Sequence, residues 1–556
     1  VPYLRIEGFS GIIPKVTPGL LPDNAAQIAR NVRLESRAIV PWNDDQLEFD
    51  PELTGDIRTI YRYEGPSSEK PVWFVSNTDI DFVLGPIADV NEYRLYFAGE
   101  AITPRKTNWK MATSAGKPPY PNEYYEMGTP GPITAPVLTA SGGGKAPTEV
   151  RAYVYTFVTE FALVLEESAP SNAALVTCNT ADDVVTVSGF DKPPIGRYNY
   201  KFLRIYRSVT GNSAVNYQLV AQLPIQTTEY KDSLAVQELG IVLASSYFTP
   251  PPAGLKGLVV MPGGFLAGFV GNQVWFSEPY IPHAWPSIYM QTTDFPIVGL
   301  AVLGNSLIVL TDRYPYTFTG SVPTGITSDK LGLLEPCVSK LSITSDQYGI
   351  IYASPNGLVS LSIGAQSLIT QSLIRRDQWQ DYAPETMFGE IYSNMYVGFY
   401  KGLLGVNRTL ILYRNDNPPL SNYDFPGVAS FVEPKTGDLF GVDARDNKIY
   451  QLDIIGTKPT REYQWKSKLF IMPLPTSFAW IQVLADFTKF SPEERPLTVR
   501  LYADREFFYE FKPNTTDPLR LPAIKRGYSW EVELIGLLPV LRVLLATTTA
   551  ELKETT

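Results

Sequence analysis

Few residues of this chain have the types and spacing that chemistry requires. The single histidine, His283, lies in a stretch that also holds Ser277, Glu278, Pro279, Trp285 and Pro286. Ser277, His283 and Glu278 are the residue types of a nucleophile, its base and an orienting acid. Prolines at 279, 282 and 286 hold the backbone extended and splay those side chains. The stretch therefore reads as a rigid loop anchored by Trp285, not as a triad. One histidine also leaves no His cluster for zinc. The acidic pairs Glu166–Glu167, Asp182–Asp183 and Glu493–Glu494 offer the two carboxylates of a glycosidase. Adjacency in sequence, however, does not set a carboxylate separation in space. Asp443 to Asn447 has calcium-loop residue types, but its spacing departs from the EF-hand and fits a hairpin turn with Asp and Asn in left-handed positions. No P-loop, dinucleotide fingerprint or nucleophile elbow occurs. The expectation is a chain with no catalytic residue, no metal and no cofactor.

Something must position even a structural loop, and composition points to β-structure. The chain has 556 residues, too many for one core, with 33 Tyr, 27 Phe, 47 Pro and 41 Gly. Aromatic strands joined by Pro/Gly turns suit that usage, and long amphipathic helices are hard to find. The net charge of −10 disfavours a grip on nucleic acid, which needs excess Lys and Arg, but does not disfavour a conduit for it. Cys178 and Cys337 are too few and too far apart for a disulfide framework, which fits assembly in a reducing cytoplasm. Residues 1–20 lack a basic start and a continuous apolar run, so no signal peptide is expected. The run from Leu534 to Ala546 is broken by Pro539 and Arg542 and is too short to span a bilayer.

A loose repeat begins after residue 255. Units of three or four short strands start near Leu258, Ile297, Val338, Met387 and Val428, roughly every 40 residues, the spacing of propeller blades. A further blade is expected upstream, from Ile57 to Phe97. Between them, Tyr153, Tyr155 and Phe157, with Leu203 and Ile205, alternate as half-buried strands do. Pro/Gly-rich linkers flank that region, which resembles a fibronectin III or immunoglobulin-like module. From Trp465 onward a second sandwich is expected, ending on a strand from Val540 to Ala546. The predicted organisation is all-β. It comprises an N-terminal arm with the first strands (1–50), a first blade region (51–127), an inserted Ig/fibronectin III-like domain (128–254), propeller blades (255–458) and a platform-like C-terminal β-sandwich (459–556).

The arm carries a further signal. It holds Phe9, Gly11 and Pro14, then Leu21, Pro22, Asp23, Asn24, Ala25, Ala26 and Gln27, then Asn31, Leu34, Glu35 and Ser36. Asp23 or Asn24 is placed to cap one helical turn over Ala25 to Ala29. This arm closely resembles the opening of the tail nozzle, or tail tubular B, proteins of short-tailed bacteriophages. The loop Ser277, Glu278, Pro279 with Pro282, His283, Ala284, Trp285 and Pro286 resembles a recurrent phage-tail segment. The family usually has Gly after the serine, where this chain has Arg37.

The resemblance implies a structural virion protein and not an enzyme. It implies a homohexameric nozzle attached to the head–tail adaptor ring of the tail tubular A class, with tail fibres or spikes docking at its side. Genomic double-stranded DNA would pass through its channel without sequence-specific binding and be retained there before host contact. The motif residues would serve assembly, in a virion built in the bacterial host cytoplasm. The alternatives are a monomeric propeller that binds carbohydrate or a receptor, and a tail hydrolase. Tail depolymerases are usually β-helical, and no such period is present.

Overall fold

The computed structural model describes residues 3–86, 92–141, 149–179, 183–209, 216–332, 334–414, 419–488, 490–491, 494, 496–522 and 525–554. Strands account for 48% of the chain and helices for 6%, so the fold is all-β. The chain forms two compact units. One comprises Val1–Arg62, Asp312–Pro315 and Leu331–Thr556, the other Tyr63–Thr311 and Tyr316–Lys330. Cys178 and Cys337 are buried free thiols.

The blade pattern is a four-stranded antiparallel meander. In the second unit, Lys256–Met261, Phe265–Val270, Gln273–Phe276 and Gln291–Thr292 form one such sheet, and Ile297–Leu303, Ser306–Thr311, Tyr316–Thr319 and Thr327–Lys330 the next. Upstream, Ile80–Leu84, Leu95–Gly99, Ile102–Thr107 and Tyr125–Glu126 make a third, shifted from the blade expected over Ile57 to Phe97, since Thr59–Tyr63 and Val72–Ser76 are not among its strands. In the first unit, Thr344–Asp346, Gly349–Ser354, Gly357–Ser362 and Ala365–Leu368 form another. Middle strands are buried on both faces, as in Leu95–Gly99 and Gly349–Ser354, so they read as unbroken apolar runs with no alternation. None of these sheets closes on itself, and in each unit they have the four-stranded meander form of β-propeller blades.

The inserted sandwich pairs a three-stranded sheet, Val137–Ala140, Val185–Ser188 and Glu229–Asp232, with a five-stranded one built on Glu149–Phe161 and Tyr200–Val209. Tyr155 lies opposite Ile205 and Phe157 opposite Leu203, and these side chains fill the core between the sheets. A buried charge cluster sits at its edge. Arg207 pairs with Asp232 at 2.7 Å with both side chains fully buried, and the Tyr153 hydroxyl donates to the same carboxylate at 2.7 Å.

The C-terminal sandwich alternates strictly: Leu497–Ala503 and Trp480–Ala485 bury every second residue. Its two sheets share a core with Leu4, Ile6, Phe9, Trp465, Phe478 and Trp530. Here the arm departs from expectation. Leu4–Glu7 is an edge strand paired to Val540–Ala546, and Ala26–Arg30 pairs with Tyr463–Ser467 on one side and bridges Leu420–Tyr423 on the other. The helical turn expected over Ala25 to Ala29 is therefore a strand. Asn24 places its side-chain amide on the Gly8 carbonyl at 2.9 Å and caps nothing, because the pairing on both sides satisfies the backbone that a helix would satisfy internally. Gln46–Phe49 adds a fourth strand to Gly427–Val432, Leu439–Asp443 and Ile449–Leu452. The N-terminal residues thus complete one blade and one sandwich within their unit.

Candidate functional site

The loop of His283 follows Gln273–Phe276 and is pinned by short-range hydrogen bonds. The Ser277 hydroxyl accepts from the Leu266 amide at 2.8 Å and donates to the Glu278 carbonyl at 3.1 Å. The Glu278 carboxylate accepts from the Tyr289 hydroxyl at 2.8 Å, and its amide donates to the Ala284 carbonyl. Trp285 is fully buried, donates its indole N–H to the Pro282 carbonyl at 2.9 Å and its amide to the Thr249 carbonyl, and accepts from the Thr249 hydroxyl at its own carbonyl. Pro279 is half-buried and Pro286, which precedes the one-turn helix Ser287–Tyr289, is buried. Ser277, Glu278 and His283 each face a different partner, so the three residue types of a triad are not brought together.

His283 turns instead to a cluster assembled from distant segments. Its Nδ1 lies 3.8 Å from the Glu166 carboxylate, which forms a buried ion pair with Lys106. The Phe248 ring sits edge-on at 6.0 Å. Burial dominates over the attraction of Glu166 and holds the imidazole pKa down at about 4, so the ring is neutral at pH 7. Its Nε2 has no hydrogen-bond partner among the described residues. Beside it lies a cavity of about 220 Å³ lined by Tyr96, Glu166, Glu167, Arg204, Phe248 and His283, among others. Glu167 is held by Arg204 at 2.6 Å and by the hydroxyls of Tyr206 and Thr156. The adjacent acids Glu166 and Glu167 point to opposite sides of their strand, as a period of two requires, and each is neutralised by its own cation. The partners of Glu166 were invisible in sequence, because Lys106 and His283 are 60 and 117 positions away. The signal was the Glu166–Glu167 pair itself.

The arm residues are internal fasteners of the first unit. Phe9 is buried against Trp465, ring centroids 4.8 Å apart at 90°. Gly11 passes so close to Leu420 that a Cβ there would lie 2.1 Å from its carbonyl oxygen. The Pro14 carbonyl accepts from Gln378 at 2.9 Å. Leu21 is buried, whereas Pro22 is exposed and closes a turn to Ala25. Asn31, buried at φ +54°, bridges the Asp424 side chain and amide and the Glu462 carbonyl. The Leu34 amide donates to the Tyr413 hydroxyl, and Glu35 pairs with Arg33 at 2.9 Å. Arg37 adopts φ +61°, the left-handed conformation glycine takes without cost, so the turn keeps that geometry with an arginine in it.

Asp443 to Asn447 forms a hairpin turn with Asn447 at φ +57°, and Asp443 is chelated by Arg445. Among the described residues no group of three or more His, Cys, Asp or Glu is placed to hold a metal ion, and no helix is long and apolar enough to cross a membrane. Asp182 and Glu493 lie outside the described residues.

No known family matches the sequence, and no curated protein matches it either. Among solved structures, BBS1N in its complex with ARL6DN is similar over 60% of this chain and 99% of that one, at 11% identity and a TM-score of 0.20. PorZ, a surface component of the type-IX secretion system of Porphyromonas gingivalis, is similar over 74% of this chain and 44% of that one, at 11% identity and a TM-score of 0.22. At such scores these likenesses carry no weight, and the fold description rests on the strand pairing.

Proposed function

We propose that this chain is the subunit of a tail nozzle of a short-tailed bacteriophage, a structural virion protein that forms a homohexameric conduit for the genome. The observation that carries this reading is the role of the motif residues. Phe9, Gly11, Asn31 and Leu34 knit the arm into its unit, and Ser277, Glu278 and Trp285 pin one loop, so the residues that resemble the family act as fold determinants. The carboxylates and histidine that an enzyme would use are spent on internal ties, which supports a non-enzymatic role. The subunit would bind the adaptor ring and tail fibres or spikes, and its acidic charge would let DNA slide without adhesion. Light scattering and electron microscopy of the purified protein, alone and mixed with the adaptor ring, test this. Six-fold ring particles, at least with the adaptor, are expected. A monomer that ignores the adaptor would overturn the reading.

A further inference from the structure

Within the unit that holds the arm, a cavity of about 720 Å³ opens beside the hairpin of Met395–Lys401 and Asn407–Tyr413. Three arginines line it, Arg30, Arg408 and Arg445, in a chain whose net charge is −10. Arg30 shares an open ion pair with Asp424 at 3.4 Å, both side chains about half exposed (49% and 48%). Arg445 is held in place by its chelate with Asp443 yet stays 68% exposed. Arg408 is exposed and lies beside the Tyr400 hydroxyl. Gln378, Thr409 and Asp424 also line it and are tied to neighbours, whereas the Asp381 carboxylate and the Asn407 and Asn422 amides make no side-chain hydrogen bond to any described residue. Tyr382 completes the wall, stacked on Trp379 at 5.5 Å.

We propose that this cavity binds an acidic saccharide, a short run of sugar units carrying carboxylates. Guanidinium forks match carboxylates in bidentate pairs. A free carboxylate and two amides are what a ring of hydroxyls needs, since each hydroxyl both donates and accepts. A polyphosphate or nucleic-acid backbone offers few hydroxyls to the Asp381, Asn407 and Asn422 side chains. The volume falls inside the range of roughly 300–1,000 Å³ typical of small-molecule sites. The arm supplies Arg30, the hairpin Arg408 and the turn before Ile449–Leu452 Arg445, so folding of the unit preorganises the site. This inference goes beyond the nozzle reading and does not depend on it, because binding is measured on the chain whatever its assembly.

The test is calorimetric titration of the full-length protein with trigalacturonate, maltotriose, inorganic phosphate and a single-stranded oligonucleotide. Trigalacturonate is expected to bind, with maltotriose at least tenfold weaker. Arg408→Ala and Arg445→Ala should each weaken trigalacturonate about tenfold, equivalent to about 1.4 kcal/mol. Arg408→Lys should restore part of the loss. Arg408 is exposed, so its variants are expected to melt unchanged, whereas Arg445→Ala also takes the cation from buried Asp443 and is expected to melt lower while staying folded. Should either variant misfold, Asn407→Ala gives the same reading through the hydroxyl contacts. Absence of binding up to about 10 mM trigalacturonate, a ligand regime worth under about 3 kcal/mol, overturns the proposal. So do equal affinity in well-folded variants and tighter binding of the oligonucleotide or phosphate.

Discussion

His283 is neutral because burial outweighs its carboxylate neighbour, and that has a pH consequence. Its pKa is about 4 in the folded chain against 6.5 in the unfolded one, so the unfolded chain binds the extra proton between those values. The contribution of this ring to stability is therefore intact above pH 6.5 and is lost as the pH drops through the window to 4, by about 3 kcal/mol in all at 1.36 kcal/mol per unit. Glu390, pushed up to about 7 by burial, takes up a proton in the folded chain over the same range and works in the opposite sense, so the contribution of the ring is read as the difference between the chain and its His283→Gln variant. His283→Gln should remove that contribution in denaturant titrations between pH 6.5 and 4.5, and a pH slope identical to that of the unaltered chain would contradict the assignment. Trp285 supports the same loop by packing alone. Trp285→Ala should destabilise by roughly 3–5 kcal/mol, the usual cost of emptying a fully buried aromatic site. The transition to follow is that of the unit containing it, since a chain of two units need not melt in one step.

At the level of elements, the arm is the most consequential segment. A Pro-rich N-terminal stretch invites the view that it could be trimmed with the blades left folded. Its strand contributes Leu4 and Ile6, and Phe9 just beyond, to the core of the C-terminal sandwich, and Gly11 and Ile12 lie on Leu420. Removal of residues 1–22 is expected to expose those cores and make the sheets around Trp465 and Trp480 sensitive to limited proteolysis, alongside a lower melting temperature. A deletion variant as resistant as the full chain would show the arm to be dispensable for folding. The inserted sandwich behaves oppositely, with both sheets and its own core drawn from one contiguous segment. Residues 131–250 expressed alone should melt cooperatively. Asp232→Asn in that fragment should cost about 3–5 kcal/mol, because it leaves the Arg207 charge buried without its partner.

For the whole molecule, the relevant quantities are charge and copy number. Six copies at −10 each would place −60 on a ring. Such a ring should not retard duplex DNA in a gel at physiological salt, since phosphate binding needs a surplus of Lys and Arg. Measured retardation at sub-micromolar protein would leave the low-friction conduit without support. Acidic saccharide binding at the arginine-lined cavity is compatible with that result, because three arginines at one site bind a short carboxylate ligand without conferring affinity for a polyanion on the rest of an acidic surface.

The all-β class, the blade spacing, the sandwich strands through Tyr153, Tyr155, Phe157, Leu203 and Ile205 and the final strand Val540–Ala546 were legible in the residues, because local alternation and turn chemistry are written in consecutive positions. The hairpin at Asn447 was legible for the same reason. Three things were decided only by tertiary structure. Ala26–Arg30 became a strand because partners more than 390 residues away satisfied its backbone on both sides. Glu166 and His283 met because a hairpin of the inserted sandwich and a blade loop converge on Lys106. Arg30, Arg408 and Arg445 came to share a cavity through long-range pairing of three separate elements. Spacing along a chain encodes periodicity, whereas a site built from single residues on remote strands carries no period, and only the closed core fixes which of them face one another.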